Sequence, residues 1–167
     1  MSLYRLRNIL IAAALILAAF LLQNTVISRI PVLGCAPDIL LIITFVYGYC
    51  EGKIPGMIVG LTGGLLIDIF FSDYIGFNAL ILVVTGYISG IWKNYFYSDD
   101  FYIPMAALTC NSILYFLAYM VFGFILQGHF EVGYFLLHMV LPEFLMTFIA
   151  GVLLCKPLCA LVERLKV

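Results

Sequence analysis

The chain has 167 residues, 65% of them hydrophobic and 10% charged, with a mean hydropathy of +1.17. A soluble domain of this size could not bury so much apolar surface, so a soluble enzyme or binding module is excluded and no nucleic-acid partner is expected. The net charge of −1 excludes little; the placement of the charges is what informs.

Apolar runs and breakers predict a single all-α integral membrane domain over 1–167, with six transmembrane helices. The first span runs from about 9 to 27, after the basic start Leu3-Tyr-Arg-Leu-Arg7. Its apolar run is longer than a signal-peptide core and no small-x-small site closes it, so it reads as a retained signal anchor. The second span, 37–49, is the shortest. Its 13 residues make only about 20 Å of helix, so it needs 32–36 or a locally thin bilayer to cross.

The third span, 54–71, opens on Pro55, a good first-turn residue. Gly56, Gly60, Gly64 and Asp68 recur every four residues and form one stripe on a helix. Two overlapping GxxxG steps let another helix backbone approach closely, which makes this a packing face suited to a partner helix. The fourth span, 75–92, closes on Gly86 and Gly90, assigned to the same kind of packing. The fifth runs over 101–126 and the sixth over 133–155. Short loops at Glu51–Lys53, Ser72–Tyr74, Lys93–Asp100 and Gln127–Val132 join them.

Six spans put the termini and the second and fourth loops on one side. That side holds Arg5, Arg7, Lys53, Lys93, Lys156, Arg164 and Lys166, and the other holds Arg29 alone. The positive-inside rule then places both termini in the cytoplasm. Aromatic residues gather at the predicted borders, among them Tyr47, Tyr49, Phe70 and Trp92.

No Lys or Arg lies within a span, so the candidate polar residues are acids and amides. Asp38 follows Pro37 and falls in a helix's first turn, where it either caps the helix or has a functional role. Asp68 is either a carboxylate solvated at the outer interface or a group that orients a partner. Glu143 follows Pro142, which should kink the sixth span. It either stays neutral, hydrogen-bonded to Asn111 or to a carbonyl freed by the proline, or meets a polar group of a partner helix. Gln23, Asn24, Asp38, Asp68 and Asn78 are the polar groups that could converge in an outward pocket.

No catalytic, cofactor-binding or metal-ligating set is expected. His129 and His138 form no pair. Cys155 and Cys159 share a helix face, but no further ligand is near them in sequence, and they read as buried small hydrophobes. Tyr115, Tyr119 and Phe122 read as core. Ser89-Gly90 lacks the rest of a rhomboid-type motif. Gly63-Gly64-Leu-Leu-Ile-Asp68 lacks the Arg and second Asn-rich motif of a membrane aspartyl protease.

The chain resembles the MreD family of rod shape-determining proteins. The likeness rests on Gln23-Asn24 ending the first span, Pro37-Asp38 opening the second, Gly60-Leu-Thr-Gly-Gly64-Leu-Leu-Ile-Asp68, Gly76-Phe-Asn-Ala79, Gly86-Tyr-Ile-Ser-Gly90 and a basic tail. It covers essentially the whole chain and is densest from Pro37 to Gly90; Glu143 matches no family motif. The resemblance implies a non-enzymatic, multi-pass protein of the bacterial cytoplasmic membrane. Its implied partners are the bitopic MreC, the wall polymerase and transpeptidase pair and, indirectly, MreB filaments. The family is also similar in fold to the six-helix substrate-binding (S) components of energy-coupling-factor transporters, which supplies a vitamin-transport alternative. Ala14-Leu-Ile-Leu-Ala18 is the kind of AxxxA step such components use for docking.

Overall fold

The computed structural model describes residues 2–26, 37–72, 75–95, 102–127 and 141–164. Among these the protein is all helical: α1 (Ser2–Leu21), continued by a π-helical turn (Leu22–Val26), then α2 (Ile39–Glu51), α3 (Lys53–Phe71), α4 (Phe77–Tyr95), α5 (Tyr102–Gln127) and α6 (Leu141–Arg164). Arg29, Cys35, His129 and His138 lie outside the described residues.

Two stretches, Lys53–Phe71 and Pro142–Val162, are long and apolar enough to cross a membrane. The other four helices carry shorter apolar runs, at Ile11–Asn24, Ile39–Glu51, Phe77–Lys93 and Met105–Ala118. Among the described residues, two of the six expected spans are thus long and apolar enough to cross. α2 is the shortest, its 13 residues giving about 20 Å of rise against about 30 Å of hydrocarbon.

The architecture centres on α2, α3 and α4. The core is built on α2, where Leu40, Leu41, Ile42, Phe45 and Val46 are all buried, and it continues onto α1 through Ile16 and Phe20 and onto α6 through Cys155 and Val162. A second cluster joins Leu41 to Ile81 and Leu82 of α4 and to Tyr115 and Phe116 of α5. The outward faces are the reverse of a soluble protein's: Ile58, Leu61, Leu117, Ile149 and Leu153 are exposed. Such faces suit lipid or another apolar helix.

α3 and α4 are antiparallel and meet backbone to backbone. A Cβ on Gly60 would collide with the Leu82 carbonyl, one on Gly64 with the Ala79 backbone, one on Gly86 with the Gly56 carbonyl and one on Gly90 with the Lys53 backbone. The second glycine of the Gly63-Gly64 pair is the one that matters. A Cβ on Gly63 would meet side chains alone, Leu40 at 3.1 Å and Ile16 at 3.9 Å. Gly48 of α2, which the sequence stripe does not include, completes the contact: its Cβ would lie 2.6 Å from Ser89 Cβ and 2.7 Å from the Gly86 carbonyl. The ladder is thus used inside the chain, against α4 and α2, and is not free to receive an outside helix.

Candidate functional site

The described polar side chains concentrate where α1 ends, α2 begins, α3 ends and α4 begins. A helix start leaves up to four N–H groups without an intrahelical acceptor. Here two carboxylates and one amide supply the side-chain acceptors.

At α2 the account is complete. Asp38 is the N-cap residue, and its Oδ1 accepts from the Leu41 N–H at 3.1 Å. The Ile42 N–H donates to the Asp38 carbonyl at 3.3 Å. The two remaining donors, Ile39 N–H and Leu40 N–H, are taken by Oε1 of Gln23 at 3.2 and 3.3 Å. Gln23 sits in the π-helical turn after α1, and its Nε2 reaches Asp38 Oδ1 at 3.5 Å. The bulged turn aims one amide across a helix junction, a setting in which such turns recur. Asn24 turns back, donating to the Phe20 carbonyl at 2.9 Å.

Three further groups face Asp38. The Tyr115 hydroxyl of α5 hydrogen-bonds its carboxylate. Its own N–H donates to Thr147 Oγ1 of α6 at 3.0 Å. Glu143, one turn before Thr147, lies within electrostatic reach of it. Four elements therefore converge on Asp38, and three of its partners, Gln23, Tyr115 and Thr147, lie far from it in sequence.

At α4 the capping carboxylate comes from the preceding helix. Asp68 is buried, 1% exposed. Its Oδ2 accepts from the Gly76 N–H at 2.9 Å and the Ala79 N–H at 3.0 Å. Its Oδ1 accepts from both the N–H and the Nδ2 of Asn78 at 3.0 Å. Asn78 Nδ2 also donates to Ser72 Oγ at 2.7 Å. Gly76 turns the chain into this grip with φ 97°, a conformation glycine adopts without strain.

Several expectations are corrected here. Asp68 is neither solvated nor presented to a partner, because four donors of its own chain occupy both oxygens. Asn111 does not bond Glu143; its Nδ2 donates to Ser89 Oγ of α4 at 3.0 Å, and Ser89 Oγ donates to the Thr85 carbonyl at 2.6 Å. The described part of α6 begins at Leu141, with Pro142 and Glu143 in its first turn, where a proline is tolerated. Of the five residues proposed for one outward pocket, four divide into two knots, Gln23 with Asp38 and Asp68 with Asn78, while Asn24 turns back to the Phe20 carbonyl. The sequence reading missed Gly48, Ser72, Ser89 and Thr147, since a buried Ser, Thr or Gly shows nothing in sequence until its neighbour is known.

At the other end, Lys93 Nζ donates to the Glu51 carbonyl at 2.8 Å, so a cation closes the end of α2. Gly52, at φ 110°, makes the two-helix corner there. Lys53 Nζ lies 5.3 Å from the centroid of the Tyr87 ring. Among the described residues no group of three or more His, Cys, Asp or Glu is placed to hold a metal ion.

A bundle with apolar outward faces, small-residue packing and all its acidic knots turned inward defines a helical membrane protein. The model of the rod shape-determining protein MreD family matches residues 4–165, and the chain belongs to that family. It is therefore a bacterial membrane protein concerned with cell shape. No curated protein and no solved structure matches the chain, so the expected likeness to the S components of energy-coupling-factor transporters stands without structural support.

Proposed function

We propose that this protein is a non-catalytic membrane subunit of the bacterial cell-elongation complex, which binds MreC and helps to position or regulate lateral peptidoglycan synthesis. The observation that carries this reading is the family match along nearly the whole chain. The chemistry of the interior supports it. The described carboxylates at the helix junctions cap helices, and the glycine stripe holds α3 to α4. What is left facing outward is apolar surface on α1, α3, α5 and α6, suited to lipid and to partner helices.

In this reading the chain crosses the membrane six times with both termini in the cytoplasm, supported by seven basic residues on one side against one on the other. The Asp38 and Asp68 knots then lie at the outer end, on the side of MreC's soluble part and of the wall polymerase and transpeptidase. MreB filaments are reached indirectly from the inner side. The test is affinity capture of the tagged protein from solubilised membranes. Recovery of MreC above the level captured by an unrelated tagged membrane protein is expected; no enrichment would overturn the binding claim.

A further inference from the structure

Three cysteines from distant parts of the chain meet at the end of the bundle away from the two acidic knots. Cys50 lies in the last turn of α2, and Cys155 and Cys159 lie one turn apart on α6. The Sγ atoms of Cys50 and Cys159 are 3.0 Å apart across 109 residues of sequence, and none of the three is in a disulfide. Cys155 hydrogen-bonds Cys159. Tyr49 and Trp92 pack in the same cluster. Two unlinked sulfurs at this separation are closer than ordinary contact and about 1 Å from bonding distance.

We propose that Cys50 and Cys159 form an oxidisable dithiol, a modification site that covalently ties the end of α2 to α6 when a peroxide reaches it. The two sulfurs have different exposures, which assigns their roles. Cys159 is half-buried and Cys50 is buried. Hydrogen bonds to Cys155 and Cys50, with burial, hold the proton on Cys159; once that proton leaves, the Cys159 sulfur attacks a peroxide oxygen, the O–O bond breaks, and a sulfenic acid and hydroxide (water once protonated) result. The Cys50 thiolate then attacks the Cys159 sulfur and displaces the hydroxyl as a second water. The two thiol protons end in the two waters, the dithiol loses two electrons and the peroxide gains them. Cys155 is a positioning residue, its hydrogen bond holding the Cys159 sulfur toward α2.

The full-length protein, in lipid nanodiscs, is treated with hydrogen peroxide, denatured, alkylated and mapped by mass spectrometry. The expected result is a peptide pair joined through Cys50 and Cys159, free thiols falling from the five of the chain to three, and recovery of all five with dithiothreitol. The oxidised protein should also unfold at a higher temperature than the reduced one. Cys50→Ser combined with Cys155→Ser should leave Cys159 as a sulfenic acid that dimedone traps, and Cys155→Ser alone should still form the link, more slowly. Cys50 and Cys159 recovered unlinked at a peroxide dose that oxidises the exposed Cys110 would overturn the proposal. So would a link that joins either of them to Cys110.

Discussion

Asp68 and Asn78 are bound twice over: Oδ1 of the carboxylate accepts both the backbone N–H and the side-chain Nδ2 of the asparagine, each at 3.0 Å. Ten residues apart, they fasten the end of α3 to the start of α4. Together with the glycine contacts below them, they make this antiparallel pair the most tightly joined part of the fold.

Removing that carboxylate should therefore unfold rather than uncouple. Asp68→Ala strands the Gly76, Asn78 and Ala79 donors, each costing about 1–3 kcal/mol where water cannot reach it. Asp68→Asn keeps one acceptor oxygen and should fall between. Thermal unfolding of the purified variants, with recovery of monodisperse protein, measures this. An Asp68→Ala protein as stable as wild type would show that water replaces the carboxylate.

The glycine ladder makes a sharper prediction, because neighbouring glycines differ. Gly60→Ala and Gly64→Ala place a methyl against backbone that cannot rotate away, and should cost about 3 kcal/mol or more. Gly63→Ala meets side chains alone, those of Leu40 and Ile16, and should be nearly neutral. Yields of folded protein at matched expression report the order, and equal losses at positions 63 and 64 would contradict the described pairing of α3 with α4.

Gln23 should matter as a cap supplied in trans. Gln23→Ala frees the Ile39 and Leu40 amides and should destabilise by about 1–3 kcal/mol. Gln23→Glu keeps the acceptor but sets a second negative charge beside Asp38, and should cost at least as much. Amide hydrogen exchange at residues 39 and 40 would report the loss directly.

The helical character of the chain was legible from its apolar runs, and its family from the motifs between Pro37 and Gly90. What could not be read was which groups face each other. The stripe Gly56–Gly60–Gly64–Asp68 announces close packing, yet only the folded chain shows that α4 and Gly48 of α2 fill it. Asp68 looked like a costly charge awaiting a partner, because its donors are mostly backbone N–H groups, which every residue but proline carries. Cys50 could not be linked to Cys159 for the same reason: their meeting depends on how α2 packs on α6.

Topology has its own test. Six spans with cytoplasmic termini put Cys35 outside, and a membrane-impermeant thiol reagent on intact cells should label it. A cysteine added at the C-terminus should stay unlabelled until the membrane is permeabilised. Labelling of that added cysteine alone would reverse the orientation.

Depletion of the protein in its own host, with cell width followed by microscopy, tests membership of the shape-determining machinery most directly. The account predicts that cells widen and round as the protein is lost, and that wild type restores them while Gly64→Leu, which cannot close α3 on α4, does not. Cells that keep their width and shape without the protein would contradict it.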